Sequence, residues 1–507
     1  MPGLPPRTVL DKDAETPLYR QLYDWLRKDI ESGQLPVGSR LPATRAMAER
    51  LGVSRNTVLV AYEHLLADGY AEGKVGSGTR VAGRREDDRS PAKPERRRPL
   101  AQRLSAAGRA MLRAEHEFGG VTEARRDPTR PFTLDVPALD LFPTKIWGRL
   151  LATRAGRVDS LLAQQSPAGF WPLRQEIAAY LGLRYRIRCT PDQVIITSSA
   201  CATAGLLAKL LLAEGTPVIV EEPCRPAIRA AFTAFGFPTC PTPVDEHGMT
   251  VGACAARFPG ARLAVTTPHS QFPLGHIMSP ARMAELLAWA DRVDGWVIED
   301  HDDPGSWSEP SAPTPCRFDD GGRVIHIGEF GQVLFPGLRI AWAVVPEELA
   351  DVVTTAQRAS VGLLPMLEQA ALADLMSTNH FIRHLRRVSD AYGERREVCV
   401  EAIRSCLGDG LPLQTSALGT HLILGLPPGL SADEVVATGR RFRVRAHALS
   451  QFYAKPFDVP QSLVLGFGAT PPDDLRAGVH RLCSVFAEIQ RPPATQSTVD
   501  HSPSVTV

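Results

Sequence analysis

Along the first eighty residues the apolar positions recur at helical spacing in short runs separated by glycines. In "LPATRAMAERLGVSRNTVLVAYEHLLADGYAEGKVGSGTRV", Met47 and Leu51 form one short apolar face, with Pro42 placed to open a helix and Gly52 to end it. Ser54 is then placed to cap a second helix, whose Val58, Tyr62, Leu65 and Leu66 fall on overlapping faces. After Gly69 the pattern shortens: "YAEG" and "TRVAG" flank Lys74-Val75-Gly76-Ser77-Gly78, which predicts a two-stranded wing. Residues 1–82 therefore read as a small helix-turn-helix with a wing.

Further along, the period changes. From about Pro131 to Arg491, compact apolar runs such as "QVIITSS", "TPVIVEEP", "RLAVTTP" and "GWVIED" alternate with helical stretches, the pattern of βα units around a mostly parallel sheet. Between the two regions, residues 83–130 are rich in Arg, Pro and charge and poor in aromatics, as a linker is, with a short helix expected between Leu100 and Leu112. The tail 492–507 reads as disordered.

Composition changes this picture little. A chain of 507 residues exceeds one ordinary core, and 44% apolar with 22% charged residues is normal for a globular protein. The net charge of +1 supplies no global field for nucleic acid, so any such signal is local. Nine cysteines stand singly, with no C-x-x-C pair and no histidine at metal-ligand spacing; they are expected to be reduced thiols, with no metal site. The N-terminus has no apolar export segment, and the run "LLAKLLLAEGTPVIV" is interrupted by Lys209, Glu214 and Gly215. A cytoplasmic protein without a membrane span is expected.

The chemistry is concentrated in two places. The second helix of the N-terminal module opens with Arg55, Asn56 and Thr57; a helix N-terminus attracts phosphate, while Arg and Asn read base edges in a major groove. The segment from "TPLYRQLYDWLRKDIESG" to "GSGTRV" closely resembles the winged helix-turn-helix of GntR-type bacterial regulators over roughly 65 residues. That resemblance implies Arg45, Arg55, Asn56, Thr57, Lys74, Ser77, Gly78 and Thr79 as contacts to double-stranded DNA. The module's charge is nearly balanced, so a dimer on two half-sites is expected.

The large domain resembles the fold-type I aminotransferases over its whole length, through "SPAGFWPLRQEIAAYLGLRYRIRCTPDQVIITSSA", "TTPHSQFPLGHIMS", "VIEDHDD" and "FGQVLFPGLRIAW". The order of the two modules is similar to that of the MocR subfamily of GntR regulators. The resemblance implies an α/β fold, with a mostly parallel central sheet and a smaller C-terminal α+β subdomain. It also implies a homodimer and a site for pyridoxal phosphate (PLP) acting as an effector sensor.

Residue by residue, that site departs from the family pattern. The lysine that forms the Schiff base is Gln332; a carboxamide nitrogen has its lone pair delocalised into the carbonyl and cannot form an imine with the aldehyde. Only Lys145, Lys209 and Lys455 lie elsewhere in this domain, none in a segment matching the lysine loop. Asp300 matches the carboxylate that pairs with the pyridine nitrogen, but Asp302 stands where a tyrosine is usual, and Arg225 replaces the ring-stacking aromatic. Ser198 and Ser199 lie in the phosphate-cup segment, which lacks its usual glycine and glutamines. Arg339 matches the phosphate arginine, whereas Glu329 replaces a small hydroxyl residue. A carboxylate about 4 Å from a phosphate costs about 4 kcal/mol at an effective dielectric near 20. Val464 stands where an arginine commonly binds substrate carboxylate.

The expected protein is thus a dimeric DNA-binding regulator with a degenerate aminotransferase-like domain. It has no catalytic residues and no covalent cofactor; Gln332, Gln271 and Arg339 are offered as polar contacts for an unidentified effector. The alternatives are a PLP enzyme or PLP-responsive regulator using noncovalent PLP or a relocated lysine, and a scaffold that answers to a partner protein.

Overall fold

The computed structural model describes residues 10, 11, 14, 16–74, 78–82, 103–117, 130–156, 166–301, 314–319, 321–416, 418–456 and 458–491. The expected linker segment 83–102, the tail 492–507, Ser77 and Asp302 lie outside them. Contacts divide the chain into two units, Met1–Gln102 and Arg103–Val507.

In the first unit, helices α1 (Leu18–Glu31), α2 (Thr44–Leu51) and α3 (Arg55–Ala67) precede strands β1 (Ala71–Lys74) and β2 (Gly78–Val81). The strands pair antiparallel. Leu22, Leu26, Met47, Val58, Tyr62, Leu65 and Val81 bury their side chains in one core. Gly52 ends α2 in the left-handed conformation, φ 67°, its N–H donating to Ala48 O, because a residue without Cβ takes that turn without strain. Ser54 Oγ accepts the N–H of Thr57 at 3.1 Å and so caps α3 as its position predicts. Two details differ. Helix α2 begins at Thr44; Pro42 stays outside, its carbonyl accepting from Tyr62 Oη at 3.0 Å. Leu66, one residue and about 100° of helix beyond Leu65, turns outward and is 38% exposed.

In the second unit the helices used below are α4 (Ala106–Glu117), α5 (Thr144–Ala155), α6 (Trp171–Tyr185), α7 (Ala200–Leu211), α8 (Pro226–Ala234), α9 (Met366–Ser377), α10 (His380–Leu407) and α11 (Pro472–Gln490). The strands are β3 (Val194–Thr197), β4 (Val218–Glu222), β5 (Thr239–Asp245), β6 (Gly248–Met249), β7 (Leu263–Thr266), β8 (Trp296–His301), β9 (Val324–Glu329) and β10 (Ala341–Val344). They form one eight-stranded sheet in the order β3-β10-β9-β8-β7-β4-β5-β6. The inner pairs β5/β4, β4/β7, β7/β8 and β8/β9 are parallel; β10 runs antiparallel to both its neighbours. Both faces are covered, and β3, β7 and β10 are buried at every position, which is why they read as unbroken apolar runs. A second sheet, antiparallel in the order β11 (Leu413–Thr415), β12 (His421–Gly425), β14 (Ser462–Gly466), β13 (His447–Ala448), packs with α10 and α11 as the smaller α+β subdomain.

The short helix expected at residues 100–112 is found as α4, and it belongs to the large unit, where it packs on α8 with Ala110 and Ala114 buried. Small side chains permit that close approach without any apolar stripe to announce it. Of the nine cysteines, Cys406 of α10 and Cys483 of α11 come together, their Cα atoms 6.8 Å apart. Their packing brings together residues 77 apart in sequence, which spacing alone does not reveal. No helix among the described residues is long and apolar enough to cross a membrane.

Candidate functional site

The N-terminal module presents a compact polar surface. Arg55 and Asn56 are exposed on the first turn of α3, and Arg45 is exposed on α2. Thr57 also takes part in the cap: its hydroxyl lies 2.8 Å from Ser54 Oγ and its N–H donates to the same oxygen. In the wing, Thr79 lies opposite Gly73 and its carbonyl accepts from Leu41 N, while Gly78 sits at φ 81°. Lys74 ends β1, and nothing is described of its side chain; Ser77 lies outside the described residues. The sequence reading missed Arg40. It is exposed and bridges to Arg80, and its guanidinium lies 3.1 Å from where a Cβ on Gly78 would stand, which sets it beside the wing. Only strand pairing across 40 residues brings it there.

In the large unit Gln332 and Arg225 line one hollow, Ser198 and Arg339 line another, and Asp300, Glu329 and Arg225 all act on Cys201. Gln332 ends a single 3-10 turn, Phe330–Gln332, after β9. It lines a hollow of about 20 Å³ shared with Arg225, Asp135, Ser270, Tyr392, Thr420 and His421, room for about one water. Arg225 caps this hollow: its guanidinium is paired with Asp135 and lies 4.0 Å over the Phe272 ring. A cation thus occupies the face of an aromatic where the family resemblance places an aromatic for stacking.

Glu329, last residue of β9, reaches across to α7. Its Oε2 accepts the N–H of Ala200, the first residue of that helix, at 3.3 Å. This amide stands in the phosphate-cup segment, at a helix end whose free N–H groups favour an anion. Gly331 leaves space for this turn-back, since a Cβ there would stand 3.0 Å from Glu329 Oε1. Around Cys201, one residue further on, Asp300, Glu329, Arg225 and Asp135 all act electrostatically; burial first, then Asp300 and Glu329, push its thiol far up. It is therefore no thiolate nucleophile.

The remaining predicted contacts separate. Gln271, expected to touch a ligand, is buried and consumed by the protein: its Nε2 donates to Pro223 O at 2.7 Å and Phe272 O at 2.8 Å, and its Oε1 accepts from Leu274 N. Arg339, in the left-handed conformation at φ 53°, is exposed and lines a different cavity with Ser198. Ser199 is the N-cap residue of α7, its carbonyl accepting from Thr203. Val464 is fully buried in a cluster with Phe272, Ile423 and Phe452, an apolar wall in place of a carboxylate-binding arginine. Lys145, Lys209 and Lys455 are exposed, and none lines the hollow beside Gln332.

On strands β8 and β9, a buried polar cluster was not anticipated. Burial alone would raise Glu299, but the His326 ring 3.2 Å away, His269 at 3.7 Å and the N–H of Cys316 together bring it below the usual carboxylate range. Burial, followed by the neighbouring His326 and His269, drives His301 well below the usual histidine value.

Comparison with known proteins accords with this architecture. The model of the bacterial regulatory proteins of the gntR family matches residues 18–81, and that of aminotransferase class I and II matches residues 152–454. The chain is 35% identical to the probable rhizopine catabolism regulatory protein MocR of Rhizobium meliloti, over 95% of this chain and 96% of that one. It is 31% identical to the HTH-type transcriptional regulator YhdI of Bacillus subtilis, over 95% and 98%. It is 26% identical to the pyridoxine biosynthesis regulator PdxR of Corynebacterium glutamicum, over 92% and 96%. Among solved structures, the α-aminoadipate aminotransferase LysN of Thermus thermophilus superposes with a TM-score of 0.68 at 23% identity, covering 77% of this chain and 99% of that one, a likeness of fold.

Proposed function

This chain belongs to the MocR-type regulators of the GntR family, DNA-binding transcription regulators with an aminotransferase-like domain, and from that premise we propose that its large domain performs no PLP chemistry. The domain instead serves dimerisation and the sensing of a small molecule. The observation that carries this reading is Glu329 on the Ala200 amide. A carboxylate of the chain's own stands at the helix end where a cofactor phosphate would need to bind, and two anions at that distance repel by several kcal/mol, about 4 at an effective dielectric near 20.

Three further features support it. Gln332 cannot form an imine. Arg225 and Asp135 line the space beside it, which holds about 20 Å³, against the ~300 Å³ or more of an ordinary ligand pocket. Val464 supplies an apolar wall where an amino-acid substrate's carboxylate would need a cation. The residues present do not fit PLP.

On the DNA side, two copies of the first unit bind two half-sites, with Arg55, Asn56 and Arg45 toward the groove and the wing, including Arg40, toward the backbone. The protein acts in the cytoplasm, with its own chromosome. Two measurements test the reading. Protein mixed with PLP should stay colourless, and borohydride should leave no lysine adduct; an adduct on any lysine sinks it. A genome-wide occupancy map should show discrete promoter sites with paired half-sites, and uniform occupancy would remove sequence-specific regulation.

A further inference from the structure

Cys406, in the last turn of α10, and Cys483 of α11 are separated by 77 residues, yet their Cα atoms stand 6.8 Å apart and their Sγ atoms are in contact. That separation falls within the range of about 4.4–6.8 Å that a disulfide spans. Both side chains are half-buried at the rim of the small subdomain's core, and neither lines the hollow beside Gln332. His480 lies one turn before Cys483 on the same face of α11. It is exposed, and its Nδ1 stands 3.8 Å from Cys406 Sγ, within reach of an S–H···N hydrogen bond. In the ring tautomer protonated at Nε2, Nδ1 accepts the thiol's proton.

The other seven cysteines have a different setting. Burial raises every one of their thiols above the ordinary value. Cys240 and Cys254 also neighbour each other, but both are buried, and burial keeps such thiols protonated and inert. At Cys406 the end of α10 disfavours negative charge, so a thiolate there requires a group that takes its proton. His480 is the group in place.

Resting on the reading that the protein acts in the cytoplasm, where a disulfide is usually transient and redox-sensing, we propose that Cys406, Cys483 and His480 form a reversible modification site for low-molecular-weight disulfides of the glutathione class. His480 Nδ1 takes the Cys406 proton, and the Cys406 sulfur bonds to one sulfur of the external disulfide. The external S–S bond breaks, and its other sulfur leaves as a thiolate that takes up that proton. The Cys483 thiol then attacks the Cys406 sulfur, and the second external thiol leaves with the Cys483 proton. Two protein thiols are thus oxidised to one disulfide while the external disulfide is reduced to two thiols. The bridge closes a loop that contains all four strands β11 to β14, so oxidation restricts the unfolded chain and stabilises the small subdomain. This subdomain carries Thr420 and His421 in the wall of the hollow, and redox state sets how firmly that wall is held.

The test is thiol mapping of the full-length protein. Reduced protein is equilibrated without air in mixtures of reduced and oxidised glutathione, quenched with iodoacetamide in urea, and each cysteine is read by mass spectrometry. As the oxidised share rises, Cys406 and Cys483 should pass from two alkylated thiols to one cross-linked peptide pair, while the other seven stay alkylated; dithiothreitol should reverse this. His480→Phe should slow formation by roughly tenfold or more without moving the urea midpoint of the reduced protein. The oxidised protein should unfold at a higher urea midpoint than the reduced one. Cys483→Ser should abolish that difference and leave Cys406 as a mixed disulfide with glutathione. The mapping of the unchanged protein carries the test if a variant does not fold. Two free thiols in oxidised glutathione alone overturn the proposal, as do a bridge that dithiothreitol leaves intact, a rate indifferent to His480→Phe, or equal midpoints. The readout involves neither PLP nor a promoter, so failure removes this site and leaves the proposed function standing.

Discussion

At the scale of single residues, the proposed function rests on Arg55, Asn56 and Gln332. Arg55 and Asn56 project from the first turn of α3, capped by Ser54, with no described bond holding either side chain. Because a bidentate base contact discriminates by about 1–3 kcal/mol, replacing both with alanine should weaken specific binding by roughly a hundredfold or more. Footprinting at an occupied promoter checks this, and unchanged protection would refute the assignment. Gln332 acts by what it lacks. Gln332→Lys restores an amine but leaves Glu329 on the Ala200 amide and Arg225 on Asp135, so the variant should show no transamination and no reducible absorbance with PLP. An active single variant would mean that the pocket is less altered than argued. Gln271 shows the limit of reading residue types: it is polar and in a motif, and its amide is bonded within the protein.

At the scale of elements, helix α7 and strand β9 hold the argument. A carboxylate at a helix N-terminus contributes about 0.3–1 kcal/mol, up to about 2 when partly buried, so Glu329→Ala should lower the urea midpoint of the large unit. Glu329→Gln keeps an acceptor without the charge and should lose less. Equal midpoints for all three proteins would show that the contact does not stabilise α7. Strands β3, β4, β7 and β8 were legible because each is an apolar run bounded by turn residues; β5, with two prolines among polar residues, and the two-residue β6 were not. Helix α4 was legible as a helix but not as part of the large unit, since Ala110 and Ala114 pack by being small. Arg40 was not legible at all, because strand pairing places it beside the wing.

At the scale of the whole molecule, buried histidines set a pH limit. Burial first lowers His301, His384 and His447, so each stays neutral in the fold below the ordinary value of 6.5. As pH falls below that value the unfolded chain takes up protons that the folded chain does not, so stability present above about pH 6.5 is lost in acid. Between pH 6.5 and 5.5 a ring that stays wholly neutral in the fold costs about 1 kcal/mol, and one less depressed costs less. Glu221 and Glu222, which burial raises above the usual carboxylate range, act in the opposite sense, so the histidine share is read by difference: the urea midpoint should fall less between pH 7.5 and 5.5 for His384→Phe than for the unchanged protein, and equal falls would mean that this ring ionises freely when folded. Glu299, held below the usual carboxylate range, adds a loss only at more acid pH, below the ordinary value near 4.5.

From the sequence alone came the two-module order, the class of each fold and the loss of imine chemistry at Gln332. Those properties are local: a period of apolar positions, a cap, or the valence of one functional group is complete within a few residues. Tertiary structure alone decided that Glu329 reaches Ala200 across 129 residues, that Arg225 closes on Asp135 across 90, and that Gln271 and Arg339 part company. The reason is physical. An ionic or hydrogen-bonded group is defined by the partner within about 3 Å of it, and which partner that is depends on how distant segments pack, which no local pattern encodes.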